Sequence, residues 1–273
     1  MTSDESIRQD DGAKDAEGGK MVQSTSRHHL IRPYEDFFDR PLKGPERGVR
    51  IFPWIAYVLV TIYLKVFHRV RVEGRENLGL LPEGTAAIVS GNHTSYLDPI
   101  LLVWAFKLNI RFIAKEELFE HRVLRGLLAR LGSFPIKRET ADRSAIRRSL
   151  ASLARGEHLG IFPEGTRIRH EGQVPTYHAG VALIARMAKV PVIPVGIQGA
   201  DRVKPVGSKL FRFPKIVIRI GKPVWCEEFD GYPRKQRGEI MTDELMAMSY
   251  ALRDGVPFER VGQDGGTDGG AHA

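Results

Sequence analysis

From about residue 70 to residue 220 the chain alternates short apolar runs of strand length with longer runs at helical spacing. That alternation limits the fold more than any other feature, because each apolar face must be buried against an element of the other kind. Residues 86–90 (AAIVS), 111–114, 134–136 and 159–162 (LGIF) read as strands. Residues 99–107 read as a helix opened by Pro99, and residues 118–131, 140–155 and 180–189 as three more. In the 140–155 helix Ile146, Leu150 and Leu153 share one face, while Arg143, Arg147 and Arg148 stay outside it. Residues 190–197 (VPVIPVGI) form an apolar run punctuated by prolines. Ile216, Ile218 and Ile220 then alternate as one face of a last strand. These runs predict an α/β fold: a single layered domain over residues 71–255, with a central mixed sheet flanked by helices.

The most apolar stretch lies ahead of this domain, at residues 51–64 (IFPWIAYVLVTIYL). It is shorter than the roughly 20 residues a spanning helix needs. Trp54, Tyr57 and Tyr63 carry amphipathic rings suited to a membrane interface, and Arg47, Arg50, Lys65, His68, Arg69 and Arg71 flank the run. Segment 31–70 is therefore expected to associate with the cytoplasmic face of a membrane as a peripheral or monotopic helix. A helix buried in the core is the alternative. Residues 1–30, acidic and polar, and residues 256–273, rich in Gly and Asp, are expected to be disordered tails. The first twenty residues lack the apolar centre of a secretory signal.

Charge is uneven. The formal net charge is +8; residues 1–20 and 254–273 each carry −3, which leaves +14 on the body between them. A body so basic suits an anionic membrane surface or a phosphorylated substrate, although a soluble surface with surplus arginine fits equally well. No recognisable nucleic-acid-binding motif is present, and no nucleic acid is expected as a partner. The single cysteine, Cys226, excludes an internal disulfide and any multi-cysteine metal site. Its acidic neighbours in KPVWCEE should raise its pKa rather than activate it. There is no Gly-x-Ser-x-Gly elbow and no His-Glu-x-x-His pair, so neither a serine hydrolase nor a zinc site of that kind is expected.

Three segments can carry chemistry. The first is GNHTSYLDP, residues 91–99, between a strand and a helix. An imidazole titrates near neutrality, so His93 could take a proton from an alcohol. It would need a carboxylate to fix its tautomer, and Asp98 lies five residues on. Down a straight helix the two would stand about 140° apart, so they meet only if the chain turns before the helix settles. Ser95 is a natural N-cap for such a turn. Alternatively, Ser95 and Asp98 form only a capping box and His93 is a loop residue.

The second segment is FPEGTR, residues 162–167, at the end of a buried strand. Gly165 permits a sharp turn, Arg167 offers a planar fork for phosphate, and Glu164 could accept from a substrate hydroxyl or hold that arginine. A local surface Glu–Arg pair is the plainer alternative. The third is GSFPIKR, residues 132–138, which delivers Lys137 and Arg138 at a strand end; Lys115 occupies a similar place after residues 111–114. Solvated strand ends would look the same.

Order and spacing say more than any one block. NHTSYLD, GSFPIKR, FPEGTR and VPVIPV resemble, in that order, the four blocks of the PlsC-type glycerolipid acyltransferase family (1-acyl-sn-glycerol-3-phosphate acyltransferase-like), over roughly residues 70–222. The chain departs from the family pattern at Ile168, His178 and Pro135. The resemblance implies transfer of a fatty acyl group to the free hydroxyl of a lysophospholipid acceptor such as lysophosphatidate, giving phosphatidate without a covalent intermediate. Glycerol 3-phosphate or another lysophospholipid is the alternative acceptor. It further implies that His93 is the general base and Asp98 its partner. Arg138, with Lys115, and the segment Glu164, Gly165, Thr166 and Arg167 would hold the acceptor. The donor would be acyl-CoA or acyl carrier protein, with no permanently bound cofactor and no metal. A non-enzymatic basic protein that binds anionic membranes is the rival from a different class.

Overall fold

The computed structural model describes residues 38–39, 41–42, 51–107, 110–122, 125–126, 128, 132–136, 142–167, 176–205 and 207–258. Among the described residues, seven strands form one sheet: β1 (Arg71–Glu73), β2 (Ile88–Gly91), β3 (Ile110–Lys115), β4 (Phe134–Ile136), β5 (His158–Ile161), β6 (Val192–Gln198) and β7 (Val217–Ile220). Their spatial order is β1-β7-β6-β2-β5-β3-β4. Every neighbouring pair is parallel except β6 and β7, which makes the sheet mixed, as expected. Pro135 is tolerated because β4 is an edge strand, where a missing N–H costs no ladder bond.

Among the described residues, five helices cover the two faces: α1 (Ile51–Val66), α2 (Asp98–Phe106), α3 (Arg143–Ala154), α4 (Gly180–Ala188) and α5 (Arg237–Asp254). Their ends follow local chemistry. Asp142 caps α3 by accepting from the N–H groups of Ser144 and Ala145 at 2.9 and 3.1 Å. Gly255, at φ 72°, closes α5 in the left-handed conformation that glycine adopts without strain. Strand residues alternate between two cores. Ile88, Leu159 and Val192 face α3, α4 and α5, whereas Val89, Ile193, Val195, Ile216, Ile218 and Ile220 face α1 and α2. With both faces covered, the central strands are apolar throughout, which is why residues 86–90 and 190–197 showed no polar alternation.

β1 and α5 were not apparent in the sequence. A 3₁₀ turn spans Glu116–Phe119 where the 118–131 helix was expected to start, and part of that helix lies outside the described residues. The expected disordered tails, residues 1–30 and 256–273, also lie outside them except for 256–258. Helix α1 is amphipathic in place. Leu64 is buried, while Ile55, Leu59, Ile62 and Val66 remain 42–63% exposed at intervals of four, three and four residues. It is therefore not the fully buried core helix that was the alternative. No described helix is long and apolar enough to cross a membrane. His68, read as part of a basic flank, is fully buried: its Nδ1–H donates to the Pro214 carbonyl at 3.2 Å and its Nε2 accepts from the Tyr63 hydroxyl at 3.0 Å.

One buried ion pair fastens the β3–β5 side of the sheet. Arg111, fully buried, donates to Glu157 at 2.7 Å and to the carbonyls of Phe38 and Gly132, each at 3.1 Å. Burial alone would raise the Glu157 carboxyl, but hydrogen bonds from Arg111, the Leu42 N–H and Arg155 outweigh it and hold the group below the usual carboxylate range. The stability this adds is present above the unfolded-state pKa and is lost as pH falls through the lowered folded value. Removing one partner would strand the other charge. Glu157→Ala is expected to lower unfolding stability by about 3–5 kcal/mol, measured by urea denaturation at neutral pH, and to flatten the acid limb of the stability profile.

Candidate active site

The site forms where β2 ends in the middle of the sheet. Gly91 still pairs with β6, and a Cβ there would meet the Val195 carbonyl oxygen at 2.8 Å, so the strand needs glycine at that step. The backbone then leaves the sheet, and the buried Asn92 side chain takes over the ladder. Its Nδ2 donates to the Ile197 carbonyl at 3.0 Å, and its Oδ1 accepts from the Ile197 N–H at 2.8 Å. Asn92 thus fixes the point from which His93 projects.

The chain turns before α2 begins. Asp98 is the first residue of that helix and is fully buried. Its Oδ2 accepts from His93 Nδ1–H at 2.9 Å, from the Thr94 N–H at 2.7 Å and from the Ser95 N–H at 2.8 Å. Asp98 therefore fastens the helix start and holds the imidazole at the same time. Ser95 serves the turn differently from an N-cap: Leu97 occupies that position, and Ser95 Oγ accepts from the Leu97 N–H at 3.3 Å. With Nδ1 protonated toward Asp98, the lone pair lies on Nε2. Nε2 has no hydrogen-bond partner among the described residues, and the His93 side chain keeps 18% of its surface exposed. The N–H groups of Thr94, Ser95, Leu97 and Asp98 are all committed within the turn, so they cannot serve as oxyanion donors.

Glu164 holds the same loop from below. Its Oε2 accepts from the His93 N–H at 3.0 Å, and its Oε1 accepts from the Tyr250 hydroxyl at 2.6 Å. Tyr250 comes from α5, which reaches the sheet because Gly196 has no side chain; a Cβ there would lie 2.1 Å from the Arg253 nitrogen. Burial pushes Glu164 up to about 7, against the lowering effect of the Tyr250 and His93 hydrogen bonds. Burial and the Glu164 hydrogen bond push Tyr250 up as well, so its hydroxyl remains a donor. Among the described residues, no group of three or more His, Cys, Asp or Glu side chains stands together as metal ligands would.

Aromatic rings fix the plane of the imidazole. His93 stacks on Phe162 with centroids 4.2 Å apart and planes 17° apart, and Phe162 stacks on Phe112 at 6.0 Å. The three rings come from β2, β5 and β3 or the residues just past them, and these strands are neighbours. Gly160 makes room for the ladder, since a Cβ on it would lie 2.2 Å from the Phe112 ring.

Comparison with known proteins fits this geometry. The family model described as Acyltransferase matches residues 69–198. The 1-acyl-sn-glycerol-3-phosphate acyltransferase of Bacillus subtilis is 33% identical over 177 residues, which cover 64% of this chain and 84% of that protein. The chain belongs to the PlsC-type glycerolipid acyltransferase family. A protein of the same description from Streptococcus pneumoniae is 33% identical over 139 residues, half of this chain and 49% of that one. The crystal structure of PlsC, the 1-acyl-sn-glycerophosphate acyltransferase of Thermotoga maritima, superposes with a TM-score of 0.55 at 25% identity, covering 88% of this chain and 98% of that one. Membership sets aside the non-enzymatic alternative.

In this acyltransferase the sequence-predicted residues separate into groups. His93, Asp98 and Glu164 converge. Arg167 does not pair with Glu164; its guanidinium lies 3.4 Å over the Tyr96 ring, against the His93 loop. Gly165, at φ 66°, makes the turn, and the Gly165 and Thr166 N–H groups are used inside it, on Phe162 and Glu164 carbonyls. Lys115 ends β3 at the same rim of the sheet but pairs with exposed Glu117 at 2.8 Å, a contact worth little in water. Arg138, like Lys137, lies outside the described residues. Cys226 is raised to about 11, first by burial, with Glu227, Asp230 and Glu228 adding to the rise. Sequence reasoning missed Asn92, Phe162 and Tyr250. Met241, Leu245 and Ser249 at intervals of four, ending at Gly255, were the signal that would have found the helix bearing Tyr250.

Two outcomes are expected. Because Glu164 is raised in the folded state, the native protein binds more protons than the unfolded chain between pH 4.5 and about 7, and stability falls as pH rises through that window. Glu164→Gln, whose amide can still accept from His93, should flatten that decline in urea titrations across pH. Gly160→Ala should cost about 1–3 kcal/mol of stability by the same method, since the Phe112 ring must move.

Proposed function

We propose that this acyltransferase moves a fatty acyl group from an acyl thioester to the free hydroxyl of lysophosphatidate, giving phosphatidate, a step of phospholipid biosynthesis. The names of the Bacillus subtilis, Streptococcus pneumoniae and Thermotoga maritima relatives support this acceptor. One observation carries the chemistry: an imidazole held by a buried carboxylate through Nδ1, with Nε2 unpartnered among the described residues. His93 Nε2 removes the proton of the acceptor hydroxyl as that oxygen attacks the thioester carbonyl. The tetrahedral intermediate collapses with cleavage of the carbon–sulfur bond, and the departing thiolate takes the proton back from the imidazolium. Asp98 stabilises the imidazolium and fixes its tautomer. The lone cysteine is buried and raised, so it supplies no nucleophile for a covalent intermediate.

Arg138, Lys115 and Arg167 hold the acceptor phosphate, with the exposed Thr166 hydroxyl available beside Arg167. Glu164 and Gly165 contribute by shaping the turn. The donor is acyl-CoA or acyl carrier protein, and no resident cofactor takes part. Residues 71–255 form the catalytic domain, preceded by the membrane-associating segment 31–70, with tails at 1–30 and 256–273. Helix α1 lies on the cytoplasmic face of an anionic membrane as a peripheral or monotopic element, its exposed stripe of Ile55, Leu59, Ile62 and Val66 facing the lipid. At 16 residues it is about 24 Å long, short of a bilayer's hydrocarbon core.

General-base help is worth about 10²–10⁴ in rate. His93→Ala should therefore fold normally yet release thiol from acyl-CoA, with lysophosphatidate present, at least about a hundredfold more slowly than the native enzyme. Near-native turnover in that variant would refute the assignment.

A further inference from the structure

The most exposed large apolar side chain among the described residues, Leu210, lies in the connection between β6 and β7, with two exposed phenylalanines beside it. Leu210 is 76% exposed, Phe211 61% and Phe213 48%. They are interleaved with cations. Arg202, Lys204, Lys209, Arg212 and Lys215 are all exposed, and the stretch from 202 to 215 holds no acidic residue. The loop has a fixed place. Phe213 packs on Phe67 just past α1, with centroids 5.1 Å apart, and the Pro214 carbonyl accepts from His68. The Arg212 N–H donates to the Val203 carbonyl at 2.8 Å, which closes the loop on itself. Topology puts it at the catalytic end of the sheet. Gly91, from which the His93 loop departs, pairs with Val195; β6 runs on to Gln198, and β7 starts beside it at Val217.

We propose that residues 202–215 are a second membrane-docking element, which seats Leu210 and Phe211 in the interface of an anionic bilayer while the surrounding cations meet lipid headgroups. Charge decides the occupant. Five cations around an apolar tip are complementary to anionic lipid, and the tip continues the exposed stripe of α1 through Phe67. A single amphipathic helix leaves a protein free to roll about its axis. A second contact two strands from β2 fixes the orientation, with the rim that bears His93 turned to the membrane that stores the acceptor. The inference deepens the membrane part of the reading above, and its test separates the two.

Sedimentation of the full chain with vesicles of phosphatidylcholine, with and without phosphatidylglycerol, reads the partition directly. Leu210→Ser/Phe211→Ser and Lys209→Gln/Arg212→Gln should each weaken binding to the anionic vesicles at least about tenfold. Their turnover of a short-chain, water-soluble lysophosphatidate should be unchanged. The Leu210→Cys variant, labelled with a polarity-sensitive dye while Cys226 stays buried, should shift its emission to the blue on anionic vesicles. Native vesicle binding by both double variants, with Leu59→Ser/Ile62→Ser losing it, would overturn the loop and leave α1 standing. Equal binding to neutral vesicles, or loss of turnover on the soluble acceptor, would also overturn it. So would a lower sedimentation mass of Leu210→Ser/Phe211→Ser without lipid, since a second copy would then be what covers the patch.

Discussion

Three donors on one oxygen of Asp98 hold the turn at the centre of the sheet. The imidazole of His93 and the N–H groups of Thr94 and Ser95 all bond to Oδ2, and they can do so only because Asp98 is buried at the first residue of a helix. The carboxylate therefore defines the turn and orients the imidazole in the same act. Among the described residues, the buried Asp98 Oδ1 has no hydrogen-bond partner. Around this contact the sheet acts as a jig. Gly91 permits close approach to β6, Asn92 replaces the backbone ladder, and Glu164 ties the His93 N–H to a helix at the far end of the sequence.

Much of this was visible in the residues themselves. Apolar runs marked six of the seven strands, and the alternation of Ile216, Ile218 and Ile220 correctly placed one buried face. The His93–Asp98 pair was suggested by residue type, but its closure depended on a turn that spacing alone does not dictate. Glu164 was found without its partners in the protein. Its sequence neighbourhood suggested a ligand for substrate or for Arg167, whereas both its oxygens are engaged within the protein. That outcome depends on α5, a helix distant in sequence, and no local pattern around residue 164 encodes it. The cations of residues 202–215 were equally plain as letters. Their position at the catalytic rim follows from the antiparallel turn of β7, which hydrophobic period does not reveal.

The reversal of β7 also explains how one end of the sheet can hold both the His93–Asp98 pair and the exposed apolar loop. A parallel crossover after β6 would have carried the chain to the opposite end behind a covering helix. The antiparallel return instead keeps residues 199–216 at the rim where β2 and β6 finish. Helix α1 joins the same rim, because its end leads into β1, which runs parallel to β7.

The ladder from Phe112 through Phe162 to His93 couples the imidazole to a side chain two strands away. Positions 112 and 160 consequently behave as a lock with two tumblers: bulk added at one demands bulk removed at the other. Paired exchange, a smaller ring-free residue at 112 with alanine at 160, would keep the volume but remove one rung. The tilt of the imidazole then becomes adjustable from inside the core, by two buried positions.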